Sequence, residues 1–314
     1  MNTTIAFGPV PSRRLGFSLG INHIPPKHCS YACVYCQVGP TSAMTIKRQP
    51  FYPVTEIVDA VRQKVNECAA IGQQIDFLTF VPDGEPTLDK NLAAEIDALR
   101  QFNIPIAVIS NATLLHHQEA REALQKADWV SLKVDSVNEA AWHKINRPHG
   151  HLKLKTMQAS MQQFAAEFNG TLVTETMLVS GLNDTPAELT AIADFLPTFS
   201  PHTAYLSAPT RPPAETWVHA PDAAHIHRAY QILSSRGTNV ELITQPEDIT
   251  FALTSDLQSD ILGITAVHPL RQDAVEELLR KSGEPWQTVE ALVASGALLR
   301  LAYAGETFYL RRMK

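Results

Sequence analysis

Short apolar runs alternate with amphipathic stretches along most of the chain. The apolar runs carry too few polar positions for a sheet with one face in water, so they predict strands that are buried on both sides. Six strands are predicted, over residues 17–23, 76–82, 106–110, 129–135, 171–179 and 203–208. Between them, apolar residues that recur every three to four positions predict helices. The helices are expected over 57–68 and near 90–102, 117–126, 151–167, 185–196 and 222–234.

This regular succession of strand and helix predicts the α/β fold class. Repeated strand–helix units imply a parallel sheet with right-handed crossovers. Six such units build either a partial barrel or a doubly wound sheet. In both, the chemistry is expected in the loops that follow the carboxyl ends of the strands.

The pattern changes near Pro246. From Asp256 onward it predicts a helix, a short strand, two further helices and a hairpin; the last three are expected over 271–282, 285–295 and 298–312. A helix, a turn, a helix and a two-stranded hairpin are typical of a winged helix of about sixty residues, which is within the size of a small domain. The predicted domains are therefore a barrel over 1–250 and a winged helix over 256–314.

Composition narrows the class of protein. The chain has 314 residues, 45% of them hydrophobic, and a net charge of −6. No basic start precedes an apolar run, and no segment reaches the roughly 18 apolar residues of a membrane helix, so we expect a cytoplasmic protein without a membrane segment. Its four unevenly spaced cysteines do not form a disulfide framework, which favours metal ligation by the clustered thiols.

Three of these cysteines, Cys29, Cys33 and Cys36, lie in the stretch HCSYACVYCQVG. Thiolates at this density select zinc or an iron–sulfur cluster. Zinc requires a fourth ligand, which His23 or His28 can supply, although the usual second pair of ligands is absent. A cluster held by three cysteines leaves one iron open, where a substrate or cofactor binds. We expect Cys68 to be an ordinary core residue.

Polar residues follow the next strands. Asp83-Gly84-Glu85-Pro86 is either a polar turn or part of a site. Ser110 and Asn111 end the third strand, and Lys133 and Asp135 end the fourth. Lys133 is costly to bury alone, so it either faces the site or pairs with an acid in the barrel mouth. On the fifth strand, alternation leaves open whether Glu175 and Met177 or Thr174 and Thr176 face inward.

The C-x3-C-x2-C spacing, with Tyr35 directly before the last cysteine, resembles the signature of the radical S-adenosylmethionine (SAM) superfamily. The resemblance implies a partial (β/α)6 barrel and one 4Fe–4S cluster on Cys29, Cys33 and Cys36, with SAM on the open iron. It further implies reductive cleavage of SAM to a 5′-deoxyadenosyl radical that abstracts hydrogen from the substrate. An electron donor such as flavodoxin or ferredoxin is then an expected partner.

Other residues extend the resemblance to SAM recognition. VPDGEPTL looks like the family's glycine–glutamate motif, which implies that Gly84 and Glu85 meet the amino group of SAM. Tyr35 precedes the last cluster ligand. The polar residues at the strand ends occupy positions that bind the ribose hydroxyls and the carboxylate of SAM in this family; they are Ser110, Asn111, Lys133 and Asp135.

Five motifs together are similar to the demethylwyosine synthases and their bacterial relatives: GPVPSRRLG (8–16), GEPTL, INRP (145–148), LVSGLND (178–184) and APTRPPAE (208–215). Arg13, Arg14, Arg147 and Arg211 are then candidates for carboxylate or phosphate contacts with the substrate, or else solvated surface residues. Demethylwyosine synthases carry a second set of N-terminal cysteines. Here only Cys68 remains, so we expect a single cluster and do not carry over the tRNA-modifying activity.

Three classes of function stay open. The resemblance favours a radical SAM enzyme that acts on an RNA base or nucleotide. The others are a radical SAM enzyme that modifies or activates a peptide or protein, and a regulator with zinc or a cluster whose winged helix binds DNA. The tail from Asp256 has seven basic and eight acidic residues, and PWQTVEALVAS, at the recognition position, has no Lys or Arg. Since basic residues supply most non-specific affinity for nucleic acid, DNA is a poor match for this tail.

Overall fold

The apolar runs form strands that are covered on both faces. The computed structural model describes residues 4–245, 249–254 and 256–312. Within these residues the main sheet has eight strands: β1 (Ala6–Ser12), β2 (Gly16–Ile21), β5 (Phe77–Phe80), β6 (Ile106–Ser110), β7 (Trp129–Lys133), β8 (Thr171–Met177), β9 (Thr203–Ser207) and β10 (Val240–Ile243). Two short strands, β3 (His28–Cys29) and β4 (Ala43–Met44), pair with each other outside this sheet.

The order in the main sheet is β1-β2-β5-β6-β7-β8-β9-β10. The strands from β2 to β10 are parallel, whereas β1 pairs with β2 in the antiparallel direction. The sheet is thus an open, curled half-barrel, and the doubly wound alternative is set aside. All six predicted strands are present, but the predicted number is too low because both edge strands were missed.

Helices cover the outer face of the sheet. They are α1 (Val54–Ala70), α2 (Leu92–Leu99), α3 (Gln118–Leu124), α4 (Glu139–Asn146), α5 (Leu154–Glu167), α6 (Pro186–Phe195) and α7 (Ala223–Ser234). Their buried apolar stripes and the outward side chains of the strands form the largest core of the described residues. The sequence analysis predicts each of these helices except α4. All parallel strands therefore end at one edge of the sheet, where their loops meet.

The residues from Asp256 onward form a smaller unit. Its elements are α8 (Leu257–Thr265), β11 (Leu270–Arg271), α9 (Gln272–Ser282), α10 (Gln287–Ala294), β12 (Leu298–Tyr303) and β13 (Glu306–Arg311). The strands form an antiparallel sheet in the order β11-β13-β12. The order of elements is the one predicted, and the unit has a hydrophobic core of its own. Pro246 and Lys314 lie outside the described residues.

This C-terminal unit packs against the first strand and the first helix. Phe7 of β1 is buried with Ala266 and Val267, which follow α8. Lys64 of α1 lies 3.2 Å from the carboxylate of Asp260 in α8, and this carboxylate is almost fully buried. Across the described residues, no helix combines the length and the apolar character needed to cross a membrane.

Candidate active site

One cavity opens at the carboxyl ends of the parallel strands, where the sequence analysis expects the chemistry. Its volume is about 270 Å³, and Cys29, Cys33 and Cys36 all line it. The cysteine loop, residues 28–39, follows β2, while Lys133 and Glu175 enter the cavity from β7 and β8. Thiols and charged groups of both signs therefore face one partly enclosed volume.

Backbone hydrogen bonds hold the cysteine loop on the segment Ile145–Pro148, which is the INRP motif. The amides of Ala32 and Val34 donate to the carbonyl oxygens of Asn146 (3.0 Å) and Ile145 (2.9 Å). Tyr31 also forms an isolated antiparallel bridge with Pro148. The segment begins with the last two residues of α4, so this short helix positions the loop that carries the thiols.

Two side-chain amides point at cysteine sulfur atoms. The Nδ2 atom of Asn111 lies 3.6 Å from Sγ of Cys29, and the Nδ2 atom of Asn146 lies 3.5 Å from Sγ of Cys33. Burial raises the pKa of all three thiols, that of Cys33 to about 12. A bound cation is therefore needed to ionise them, and once they are ionised the two amides stabilise their charge.

The arrangement of donors fits a cluster better than a single zinc ion. Tetrahedral zinc about 2.3 Å from each thiolate requires sulfur atoms about 3.8 Å apart. Among the described residues, the three thiols form no set in which all sulfur atoms lie within 4.8 Å of one another. Neither histidine joins the cysteines in a zinc set: His23 groups with two carboxylates instead, and Nδ1 of His28 faces the carbonyl oxygens of Pro25 and Pro26.

Gly84 is required by the packing of the cysteine loop. A Cβ atom at this position would lie 2.0 Å from the carbonyl oxygen of His28. The same oxygen accepts a hydrogen bond from the amide of Glu85 at 3.1 Å. Gly84 thus lets the backbone of the cysteine loop lie against the turn after β5, and this contact connects the turn to the thiols.

The carboxylate of Glu85 is fully buried and accepts hydrogen bonds only from the chain. Its oxygens accept from the amide of Thr87 (3.0 Å), the hydroxyl of Ser110 (2.7 Å) and the amide of Asn111 (2.7 Å), and also from the Thr87 hydroxyl. Burial raises its pKa despite these donors. Glu85, Ser110 and Asn111 form one network behind the cavity wall rather than lining the cavity.

Asp83, which the sequence analysis did not single out, does line the cavity. One of its oxygens lies 3.0 Å from Nζ of Lys27, and its other oxygen has no hydrogen-bond partner. Burial raises the pKa of Asp83 to about 6, and the attraction of Lys27 opposes this shift. A buried carboxylate with an unpartnered oxygen therefore belongs to the cavity wall next to the thiols.

Glu175 and Met177 are the inward-facing residues of β8. Both line the cavity, whereas Thr174 and Thr176 are buried away from it. Glu175 accepts hydrogen bonds from Lys133 (2.8 Å), Ser207 (3.0 Å) and Arg14. The two cations keep the pKa of Glu175 far below its usual range although burial opposes them. Lys133 thus both faces the site and pairs with an acid there.

Asp135 lies beneath the thiols rather than on the cavity surface. Its carboxylate accepts hydrogen bonds from the amide of Met177 (2.8 Å), from Nδ2 of Asn146 (2.6 Å) and from the Tyr35 hydroxyl. Tyr35 lines the cavity, and Nζ of Lys133 lies 5.3 Å from the centre of its ring. Asp135 therefore positions Tyr35 and Asn146 beside the cysteines.

The other candidate arginines have partners within the chain. Arg13 donates to the carbonyl oxygens of Ile243 and Gln245 at the end of β10. Arg147 pairs with Glu215 at the protein surface and does not line the cavity. None of the four candidate arginines is a merely solvated residue, and each holds two segments of the chain together.

Arg211 connects the site to the C-terminal unit. Its guanidinium donates to Gln37 (2.5 Å), the residue after Cys36, and lies 3.2 Å from Nε2 of His268. Gln37 also donates to the carbonyl oxygen of Val267 at 3.0 Å. A second cavity of about 430 Å³ lies between the barrel and the C-terminal unit and shares the wall 208–211 with the first.

Comparison with known proteins agrees with this geometry. The sequence pattern of the Radical SAM superfamily matches residues 24–196. A UPF0026 protein of Methanocaldococcus jannaschii is 43% identical over 313 residues, which is 99% of this chain and 97% of that protein.

Two solved structures, both at low sequence identity, share the fold. One is a radical SAM methyltransferase from Sphaerobacter thermophilus (TM-score 0.58, 18% identity, 72% of this chain and 66% of that one). The other is TYW1 with a lysine–pyruvate adduct bound (TM-score 0.53, 13% identity, 69% of this chain and 73% of that one).

Proposed function

Because the chain belongs to the radical SAM superfamily and to the UPF0026 family, we propose that it is a single-cluster enzyme in which Cys29, Cys33 and Cys36 are the only protein ligands of the cluster. It is an enzyme whose cofactors are a 4Fe–4S cluster and SAM. When bound, the cluster supplies the electron that cleaves SAM to a 5′-deoxyadenosyl radical, which abstracts hydrogen from the substrate. Cys68, buried on α1 outside the cavity, takes no part.

One observation carries this proposal: all three thiols line a single cavity together with charged groups of both signs. The amino acid part of SAM carries an ammonium and a carboxylate, which require partners of opposite charge. Asp83 offers an acceptor oxygen to the ammonium. Lys133 and Arg14 offer donors for the carboxylate, in competition with Glu175.

The three residues of the motif Asp83-Gly84-Glu85 then have different roles. Asp83 supplies the carboxylate on the cavity side, and Gly84 allows the cysteine loop to dock. Glu85 holds Ser110 and Asn111 in place, and Asn111 in turn donates to Cys29. Glu85 thus serves SAM recognition through the residues it orients.

The substrate has two candidate classes. An RNA base or nucleotide is favoured by the motifs that resemble those of demethylwyosine synthases, with Arg13, Arg14 and Arg211 lining the cavity. A peptide or protein is favoured by the edge strand β12, on which Leu299 and Leu301 are exposed; no described strand pairs with its outer edge. Such an edge accepts an extended peptide as a further strand.

We propose that residues 256–314 are a winged helix that borders the substrate cavity and does not read DNA. Three helices with a three-stranded antiparallel sheet support the assignment. Its balance of acidic and basic residues speaks against phosphate binding. We also propose that the protein is cytoplasmic and that a flavodoxin or ferredoxin is its electron donor. Membership of an enzyme superfamily argues against the third class, a DNA-binding regulator without enzymatic activity.

The decisive experiment is anaerobic reconstitution followed by measurement of 5′-deoxyadenosine. We expect formation with dithionite alone, and a higher rate with the fraction of a cell extract that contains the substrate. Treating that fraction with ribonuclease or with protease distinguishes the two substrate classes. Stoichiometric zinc without iron after anaerobic purification would contradict the proposal.

A further inference from the structure

Behind the turn that carries Glu85, three potential metal ligands lie together outside the cavity. They are His23, which follows β2, Asp89, which follows the short 3-10 helix Pro86–Leu88, and Glu95 in α2. One ligand atom from each lies within 4.8 Å of the others, and each residue is 0% exposed. The predicted SAM motif ends just before Asp89.

Four polar atoms of this group lack hydrogen-bond partners among the described residues. Nδ1 of His23, Oδ2 of Asp89 and both carboxylate oxygens of Glu95 are buried, and none has a hydrogen-bond partner among the described residues. Nε2 of His23 lies 3.2 Å from the carbonyl oxygen of Pro86, so it can donate the ring proton and leave a lone pair on Nδ1. A metal-bound histidine is usually oriented by such a bond on its second nitrogen.

The charges of the two carboxylates are only partly compensated, because Arg48 attracts Asp89 but no cation of the described residues acts on Glu95. Arg48 is close, but its guanidinium donates to the backbone carbonyl oxygens of Thr87 and Asp89. Asp89, Glu95 and His23 are all fully buried, so an ionised carboxylate here is removed from water. Two ionised carboxylates at this place therefore require a buried cation, whereas the neutral imidazole is already in the form that binds metal.

We propose that His23, Asp89 and Glu95 hold one divalent transition-metal ion, separate from the iron–sulfur cluster. One imidazole and two carboxylates suit Zn²⁺, Mn²⁺ or Fe²⁺, and both oxygens of Glu95 are unpartnered, so Glu95 can supply the fourth donor atom. An ion about 2.1 Å from each ligand atom would hold these atoms about 3.4 Å apart, which a small closure of the three side chains achieves. The ion joins the end of β2 to α2 and braces the turn that holds Glu85, so its role is structural.

The test is metal analysis of the full-length protein. The anaerobic holoprotein should contain about one zinc or manganese per chain beyond its cluster iron. The variant Cys29→Ala/Cys33→Ala/Cys36→Ala, titrated with Zn²⁺, should still bind one ion, which separates this site from the cluster. In that background, Glu95→Gln should raise the dissociation constant for Zn²⁺ at least about 100-fold. Asp97→Asn, on the exposed face of the same helix, should not change it.

Thermal unfolding gives an independent readout. A chelator should lower the melting temperature of the cluster-free protein, but not that of its Glu95→Gln variant. Asp89→Asn replaces Glu95→Gln if the latter does not fold. Absence of a bound ion, together with a Glu95→Gln variant that melts at the same or a higher temperature, would overturn the proposal. The two carboxyl groups would then share a proton.

Discussion

Asp83 and Glu85 stand two positions apart, yet they meet opposite surroundings. The carboxylate of Glu85 accepts four hydrogen bonds from the chain, whereas Asp83, a residue of the cavity wall, has a buried oxygen without a hydrogen-bond partner among the described residues. A ligand gains most from a buried acceptor that the protein leaves unsatisfied. Glu85, which resembles the glutamate of the family motif, is therefore not the residue with an unpartnered acceptor oxygen. That residue is Asp83.

We expect Asp83→Asn to weaken SAM binding by about 1.5–3 kcal/mol, because it removes a charge-assisted contact with the ammonium. Glu85→Gln places an amide group among four donors, so it should mainly lower the free energy of unfolding, by about 1–3 kcal/mol. Equilibrium SAM binding and chemical unfolding of both variants check this. A larger loss of SAM affinity in Glu85→Gln than in Asp83→Asn would assign the ammonium to Glu85.

The raised pKa of Asp83 makes this contact dependent on pH. With its pKa at about 6, Asp83 is charged above that pH and becomes neutral below it. At about pH 5 roughly a tenth of the carboxylate remains ionised, so the advantage of the wild type over Asp83→Asn should shrink about tenfold from its value at about pH 7. The ratio of the two affinities cancels effects of pH on the cluster. A ratio that does not change with pH would contradict the role of Asp83.

Gly84→Ala should displace the cysteine loop, because the new Cβ atom would meet the His28 carbonyl oxygen at 2.0 Å. We expect the variant to retain less iron after anaerobic reconstitution and to bind SAM weakly. Gly150→Ala is the matched control, since a Cβ atom there has nothing within 4 Å. Equal iron content in the two variants would show that the loop docks without this close approach.

Some of the site could not be derived from the sequence for a physical reason. Alternation along β8 separates Glu175 from Thr174 but does not say which set faces inward, because both are compatible with a period of two. Nothing in the sequence links Asn146 to Cys33, which lies 113 residues earlier, yet the two side chains are in contact. The thiols themselves were predictable because their spacing is local.

The strands show the same contrast between local and tertiary information. β6 was predicted with the observed bounds because both of its faces are buried, so the sequence is an unbroken apolar run. β1 contains Pro9 and Pro11, which fit an edge strand but break the pattern of an internal one. β10 has only four residues, and the two central ones are exposed. Edge strands are short and mixed, so their assignment depends on the neighbouring strand.

α8 and the loop after it form part of the barrel's wall. Val267 lines the cavity that the cysteines line, and its carbonyl oxygen accepts a hydrogen bond from Gln37. The sequence alone suggests that residues 256–314 can be removed without loss of SAM cleavage, because the predicted SAM motifs precede them. These contacts argue against that expectation.

Deleting residues 256–314 should lower the free energy of unfolding by about 1.5–3 kcal/mol or more, because it exposes the buried side chain of Phe7 to water. Iron retention should fall with it. The control is the full-length variant Leu299→Ser/Leu301→Ser, which changes only exposed positions and should keep substrate-free SAM cleavage unchanged. A truncated protein as stable and as rich in iron as this control would show that the unit does not close the site.

At the scale of the whole molecule, the clustered cysteines all lie at a single site. Three of the four cysteines line the cavity, and the fourth, Cys68, is buried on α1 outside it. Burial raises the pKa of Cys68 to about 11, as expected for a thiol that remains protonated. The C-terminal unit closes the cavity on one side, and Arg211 joins it to the cysteine loop.

A single cluster therefore predicts about four irons per chain in the anaerobic protein. Replacing Cys29, Cys33 or Cys36 with alanine should abolish formation of 5′-deoxyadenosine, because a cluster held by two thiolates is lost or cannot reserve one open iron for SAM. Cys68→Ala should keep both iron content and 5′-deoxyadenosine formation, at a cost of about 1 kcal/mol for the lost packing. About eight irons per chain would indicate a second iron–sulfur cluster, and loss of activity in Cys68→Ala with an intact fold would give Cys68 a part in the chemistry; either result would refute the single-cluster enzyme.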